Sequence, residues 1–436
     1  MITIDFSAKQ GAIKPLHGTG QPPFGGAFRC LDFTAFRYLT EAGIPYSRLH
    51  DVSGDFGGMC FVDIPNIFRN FDADETDPAS YDFAFTDLLM RALHDYKIAP
   101  VFRLGVTIEN QASIKAYRIF PPKDFDKWAR VCEHIIRHYN RGWANGFHFG
   151  IVYWEIWNEP DNNENPRLNQ MWQGTPEEYY RLYTTTAKHL KQCFGDTIKI
   201  GGYGACRFCD EKDADAGREN AFRLAFFRGF LDQVTKEKAP LDFFSFHSYK
   251  DADETVRSAR FIKRALCEAG FASAELHLNE WNNAHSTDFL GSSYASAHAA
   301  AMMLAVQNAP VDLACYYDAR MGIGDYAGLF HPIQRKPTAA FYAFKAFDRL
   351  YRLGVQVKCD VTGDGLFAVA ATDETSAKKA VLIANTGAPK KEDLSALAGF
   401  DAYLLEKDVF LEKKDVTPSD FSLAENQVWL FCHNAT

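Results

Sequence analysis

The sequence predicts an α/β protein: a closed (β/α)8 TIM barrel followed by a small C-terminal antiparallel, β-sandwich-like domain. Three observations predict it. Strand-like and helix-like segments alternate from about residue 12 to 350, and they pair into eight βα units. The length, 436 residues, suits a barrel with an accessory domain. Beyond about residue 354 the texture changes to short strand-like runs separated by Gly, Asp, Lys and Pro. An open doubly wound sheet is the alternative, because periodicity alone does not close a sheet.

The first strand is expected near Leu16 to Gly20 and its helix at Phe33 to Ala42. Tyr46 to His50 is the second strand, and Phe83 to Tyr96 a helix with apolar residues at helical spacing and Asp82 as N-cap. Ala99 to Leu104 precedes a helix at Phe125 to Tyr139. Ile151, Val152, Tyr153, Trp154 and Ile156 give the fourth strand its composition, and Pro160 stops it. Its helix runs from Pro176 to Cys193, with Thr175 before a proline in the first turn. Thr197 to Tyr203 pairs with a helix at Asn220 to Thr235, and Asp242 to His247 with one at Glu254 to Ala269. The strand ending at Glu280 precedes an Ala-rich helix at Tyr294 to Val306. Val311 to Tyr317 and a helix at Thr338 to Leu350 complete the set.

In the last part, Val355 to Val361, Leu366 to Ala371, Lys379 to Asn385, Ala402 to Leu405 and Gln427 to Cys432 read as strands. Ile2 to Phe6 alternates and is expected to join that sheet. The expected division is a barrel over 7–353 and a β domain over 354–436, completed by strand 1–6. That domain is expected to brace the barrel, shape the pocket or form a subunit contact, the last giving a homo-oligomer.

Composition narrows the function. A hydrophobic fraction of 47% supports a sizeable core, and 37 Phe with 19 Tyr provide packing and stacking platforms for flat apolar ligand faces. The net charge of -9 argues against nucleic acid or an anionic membrane as partner. The first residues carry no basic region and no long apolar run, which predicts a cytoplasmic chain; a trimmed secreted protein would look the same. Ten cysteines at positions such as Cys30, Cys60, Cys132, Cys193, Cys267 and Cys359 form no regular framework, so reduced thiols are expected. Cys206 and Cys209 make one Cys-x-x-Cys without the second pair a zinc site needs, and neither metal nor cofactor is expected. Gly322 to Gly328 imitates a dinucleotide loop, but its last glycine is misplaced and no helix pattern starts there. No His-Glu-x-x-His or Gly-x-Ser-x-Gly occurs, which disfavours zinc peptidases and serine hydrolases.

The chemistry lies in two repeated strand ends. Trp154-Glu155-Ile156-Trp157-Asn158-Glu159-Pro160 and Leu276-His277-Leu278-Asn279-Glu280-Trp281-Asn282 each end an apolar alternation in an Asn-Glu pair. Strand alternation points Glu155, Trp157 and Glu159 the same way. In a barrel the C-terminal strand ends line one face, so Arg48, His50, Glu155, Glu159, His247, Tyr249, Glu280, Tyr317 and Asp318 converge there. Two carboxyls on one rim suit cleavage of a glycosidic bond, one as acid and one as nucleophile or base. Retention needs them roughly 5 to 5.5 Å apart and inversion roughly 6.5 to 9.5 Å. Glu155 reads as a structural ion-pair partner inside the barrel, and Trp281 as a sugar contact.

Together these segments resemble the clan A glycoside hydrolases and are most similar to glycoside hydrolase family 39, the β-xylosidase and α-L-iduronidase family. The resemblance rests on both Asn-Glu strands, on Phe244-Ser245-Phe246-His247-Ser248-Tyr249, on Arg48-Leu49-His50 and on Tyr81-Asp82-Phe83. It implies Glu159 as acid/base, Glu280 as nucleophile and Asn158 on the sugar 2-hydroxyl. It also implies that Tyr249 bonds Glu280, that His247 lines the pocket, and that Arg48 pairs with Glu155 or Glu280. His50, Trp281 and Tyr317 complete the expected substrate contacts. The implied substrate is a carbohydrate, a small glycoside or oligosaccharide of xyloside type, with a uronide, arabinoside or glucoside as alternatives. The chain departs from the family pattern after strand eight, where Cys315-Tyr316-Tyr317-Asp318-Ala319-Arg320-Met321-Gly322 replaces a Trp-containing stretch. A non-catalytic carbohydrate-binding barrel and a metal-dependent sugar isomerase are the rival readings.

Overall fold

The computed structural model describes residues 1–436 except 24, 28–29, 53–61, 109–118, 209, 215–216, 285, 323 and 434–436; for 25–27, 30–31 and 214 it describes backbone only. The expected Cys60 and Cys209 lie outside the described residues, and with Cys209 the Cys-x-x-Cys motif.

Eight parallel strands close into a barrel. In chain order they are Gly18–Gly20, Tyr46–Leu49, Ala99–Leu104, Tyr153–Ile156, Lys199–Ala205, Phe243–Ser248, Glu275–Trp281 and Leu313–Tyr316. The first pairs with both the second and the eighth, so the sheet has no free edge. The connecting helices form the outer layer, including Phe125–Arg141, Pro176–Phe194 and Arg218–Lys236. Their starts follow local chemistry. Thr175 and Glu178 form a reciprocal capping box before Pro176. Asp124 and Asp251 each accept the N–H three residues on. Asp82 is a correction: Phe83 occupies the N-cap, while Asp82 accepts the Ala84 N–H and pairs with Arg69.

The C-terminal region is a seven-stranded antiparallel sheet. Strand Ile2–Ala12 joins its edge beside Val355–Val361. It runs past Phe6 because irregularities between Asp5 and Lys9 and between Lys9 and Gly11 break the alternation without ending the strand. The sheet obeys a period of two. Val369, Ala371, Leu382, Ala384 and Leu430 join the barrel core, while Ala368, Ala370, Val381, Ile383 and Phe431 form a second core beneath Leu394, Leu397, Phe421 and Leu423. Helices Ser293–Gln307 and Ala339–Leu353 carry the barrel-side contact. The first is alanine-rich and buried on most sides, so two layers approach it closely. Gln307 Nε2 donates to the Ala12 carbonyl and to Gln356 Oε1. Among the described residues no helix is long and apolar enough to cross a membrane.

Candidate active site

Backbone conformation marks the C-terminal mouth of the barrel. Gln21 (φ 43°), Asp51 (43°), Trp157 (72°), Glu159 (44°) and Arg207 (40°) follow the ends of the first, second, fourth and fifth strands. Left-handed backbone is uncommon for residues other than glycine, and such strain clusters at functional sites. It also breaks the strand alternation. Trp157 therefore does not share the direction of Glu155: its Nε1 donates to the Met171 carbonyl, and the ring packs on Trp128 and Trp172. The Glu159 N–H donates to the carbonyls of Tyr203 and Gly204, both at 3.1 Å. Gly204 has φ 63°, and a Cβ there would meet Asn158 Oδ1 and His247 Nε2 at 3.1 Å. Only glycine lets the fifth strand pass so close to these side chains.

One buried guanidinium organises the floor. Arg48 Nε donates to Glu155 Oε2 at 2.8 Å, Nη1 to Glu280 Oε2 at 3.0 Å, and Nη2 to Asn158 Oδ1. Ser245 and Asn279 complete Glu155, each 2.6 Å from Oε1. Burial disfavours the charge on Arg48, but Glu155 and Glu280 more than offset that and hold it above its ordinary value. Glu155 answers in kind: burial raises it, Arg48 and Ser245 lower it further, and it rests below the usual carboxylate range. With Oδ1 of Asn158 engaged, its Nδ2 remains as donor.

Glu159 and Glu280 face one another across His247. The imidazole Nδ1 lies 2.7 Å from Glu159 Oε1 and 3.6 Å from Glu280 Oε1. One oxygen of each carboxylate and the ring nitrogen all fall within 4.8 Å of one another. Tyr249 donates to Glu280 Oε1 at 2.6 Å, and Asn162 Nδ2 to Glu159 Oε2 at 3.0 Å. Burial pushes Glu159 up, but His247 outweighs it, with help from Asn162 and Cys206, so the carboxyl sits low. Burial pushes His247 down, and the charges of Glu280 and Glu159 lift it above its ordinary value. Both directions favour the charged pair, a Glu159 carboxylate beside a His247 imidazolium.

The strand-two and strand-eight loops close the other side. Arg103 Nε donates to His50 Nδ1 at 3.2 Å, which places the ring proton on Nε2, 3.2 Å from Asp51 Oδ1. Asp51 Oδ1 also accepts the Ile108 N–H, and the Tyr317 hydroxyl lies 3.4 Å from Oδ2. Burial, then the charge of Glu280, raises Asp51 to about 6. Arg320 does not reach out as a free cation. It lies 2.6 Å from Asp318 Oδ2 and donates to the Tyr317 hydroxyl at 2.9 Å. Trp281 is a second correction: it is fully buried, packed on Tyr316 and Phe344 outside the barrel wall, and not placed to touch a sugar.

Several groups at the mouth escape sequence reasoning. Asp161 accepts the Cys206 N–H, and burial with the charge of Glu159 raises it to about 7. Tyr326 stacks on Tyr249 at 5.0 Å. Gln21 is buried, and among the described residues neither of its carboxamide atoms has a hydrogen-bond partner. A polar residue just past a barrel strand was the available signal for Gln21, Asp51 and Asp161; nothing in the sequence marked Tyr326.

Residues 37–318, more than half of the chain, match the sequence profile of glycosyl hydrolases family 39. The chain belongs to that family. It is 26% identical over 271 residues to a beta-xylosidase of Caldicellulosiruptor saccharolyticus, which covers 56% of this chain and 47% of the relative. A beta-xylosidase of Geobacillus stearothermophilus is 22% identical over 280 residues, with 56% and 48% covered. The chain thus aligns with about half the length of these relatives. Among solved structures, a glucosidase from Croceicoccus marinus superposes with TM-score 0.75 at 21% identity, covering 99% of this chain and 98% of that one. A family 39 β-xylosidase from Caulobacter crescentus gives TM-score 0.70 at 16% identity over 99% of both chains. At these identities the superpositions establish the shared fold, a barrel with an antiparallel β domain.

In this family 39 chain, Glu159, His247 and Glu280 are compact enough to be weighed as a cation site, as are the half-buried Glu133, His189 and Cys193. Hydrogen bonding weighs against the first. Each of the four carboxylate oxygens already faces a donor: His247, Asn162, Tyr249 and Arg48. In the second, Arg137 holds Glu133 at 2.6 Å and His189 takes its other oxygen. Both clusters are occupied by protein donors where a metal would need free lone pairs.

Proposed function

We propose that the chain is a retaining, β-xylosidase-like glycoside hydrolase acting on a small glycoside or oligosaccharide by double displacement. The observation that carries this is the approach of Glu159 and Glu280 within 4.8 Å, oxygen to oxygen. So close an approach supports direct attack by a carboxylate over the wider gap that seats the water of inversion.

Glu280 attacks the anomeric carbon. Arg48 and Tyr249 each donate to one of its oxygens and fix its direction. Glu159 protonates the leaving oxygen, receiving its proton from His247 along the 2.7 Å contact when the sugar displaces water from the cavity. Glu159 then deprotonates the water that releases the sugar. Asn158, turned by Arg48, offers Nδ2 to the 2-hydroxyl. His50 and Tyr317, just past the ends of the second and eighth strands, complete the proposed sugar contacts. The domain division, a barrel over 7–353 and a β domain over 354–436 completed by strand 1–6, belongs to this reading, with residues 7–12 passing to the β domain because strand Ile2–Ala12 continues through them.

The test is a screen of aryl xylosides, arabinosides, glucosides and uronides, with the anomer of the first product followed by NMR. Retained configuration is expected. An inverted product, or no turnover of any glycoside by the folded protein, sinks the proposal.

A further inference from the structure

We propose that Asp51 accepts hydroxyl groups of the sugar bound against Glu280, and that the site is built for a neutral glycone rather than a uronide. The inference rests on the glycosidase reading above and adds a residue and a substrate class to it.

Asp51 stands where a structural aspartate is hard to explain. Its φ of 43° is a conformation that glycine adopts without strain. Its side chain retains 8% exposure, beside 9% for both Glu159 and Glu280. All three carboxylates are thus nearly sealed to the same degree. Among the described residues no lysine or arginine forms an ion pair with Asp51; its partners are the Ile108 N–H, the Nε2 face of His50 and the Tyr317 hydroxyl. Arg103 takes the other nitrogen of His50, so the ring approaches Asp51 as a neutral donor. Arg320 and Arg103 act on Asp51 only through their charge, so its oxygens depend on neutral donors, and a buried carboxylate short of donors is costly unless a ligand completes it. The 3.4 Å contact from Tyr317 leaves Oδ2 the less satisfied oxygen. Sugar hydroxyls are the donors that a cavity bounded by Glu159 and Glu280 would bring to it.

The strand-eight loop also disfavours a carboxylated sugar. Arg320 is the cation of the strand-eight loop, and Asp318 engages its Nε and Nη2 while Nη2 also meets Tyr317. A uronate carboxylate held there would face Asp51 and Glu280 while Arg320 stays paired with Asp318.

The test compares wild type with Asp51→Asn on 4-nitrophenyl β-D-xylopyranoside and β-D-glucopyranoside, their 3- and 4-deoxy analogues, and 4-nitrophenyl β-D-glucuronide. Wild type is expected to lose roughly 10- to 100-fold in kcat/KM on one deoxy analogue. Asp51→Asn is expected to lose as much on the parent glycoside and little more on that analogue. The glucuronide should be the poorest wild-type substrate, and Asp51→Asn should narrow its deficit. Asp51→Gly, which suits the backbone, serves if the asparagine variant folds poorly. Additive losses for substitution and deoxygenation overturn the role of Asp51, as does a wild-type preference for the glucuronide. A wild type inert on every glycoside overturns the glycosidase reading itself, which separates the two failures.

Discussion

Arg48 Nη1 holds Glu280 Oε2 at 3.0 Å, with the two side chains only 1% and 9% exposed. The same guanidinium holds Glu155 and Asn158. One cation on the second strand therefore fixes groups from the fourth and seventh strands. Its planar fork does what an ammonium cannot, because three acceptors in different directions each receive their own N–H.

Arg48→Met is expected to destabilise the fold by about 3–5 kcal/mol, since it leaves Glu155 and Glu280 buried and uncompensated. Arg48→Lys keeps the charge but not the fork, so it should lose less stability and still drop kcat by at least about tenfold. Urea midpoints and steady-state kinetics read both effects. An Arg48→Met protein with the wild-type midpoint would show that the guanidinium does not hold these carboxylates in place.

Glu159→Ala separates acid from base catalysis. Roughly 10²- to 10⁴-fold should be lost on an alkyl or sugar leaving group, which needs a proton. A 2,4-dinitrophenyl glycoside leaves without one, so the burst of phenol should persist while release of the glycosyl-enzyme slows. Azide, needing no base, should restore turnover and give a glycosyl azide of retained configuration. Equal losses on both leaving groups, with no azide product, would remove Glu159 from the acid/base role.

Much of this was legible in the sequence, for identifiable physical reasons. Barrel strands buried on both faces and amphipathic helices write distinct periods, so the eight units can be counted from the sequence alone. Two Asn-Glu strand ends could be set on one rim because the fold puts every C-terminal strand end there. The errors begin where the period stops. Trp157 was read as the continuation of a strand whose last ladder residue is Ile156, and its φ of 72° turns the ring outward. Trp281 is the last residue of its strand, and the alternation that points Glu280 inward points the indole outward. Asp51, Asp161 and Asn162 lie past strand ends that the sequence shows, but their direction is set by left-handed residues such as Asp51, Trp157 and Glu159, which leave no pattern. The strand Val409–Lys414 was missed because it is a half-exposed sheet edge with an irregularity opposite Leu404 and Leu405.

Trp281→Phe tests the outward placement. The smaller ring leaves space against Tyr316 and Phe344, and a loss of about 1–2 kcal/mol is expected. KM for the best aryl glycoside should stay within about twofold, because the indole is not placed to touch sugar. A tenfold rise in KM with an unchanged urea midpoint would return Trp281 to the pocket.

Glu275 gives the barrel a pH-dependent clasp at the end opposite the site. Its carboxylate meets Lys199, His277 at 3.0 Å and the Tyr153 hydroxyl at 3.0 Å. Burial raises its pKa, but His277 and Lys199 pull harder and bring it to about 2. A carboxyl depressed in the folded state contributes stability above its unfolded value and loses it as pH falls through the folded one. The full shift would correspond to about 3 kcal/mol. With the side chain 25% exposed, solvent screening brings the expected contribution to about 1–2 kcal/mol. Glu275→Gln should therefore trail wild type by that amount at pH 7. The gap should begin to close below about pH 4.5 and lose more than half its size by pH 3. Urea midpoints at pH 7, 4 and 3 measure it; a gap that stays constant to pH 3 would mean that the carboxylate's charge adds nothing to the clasp.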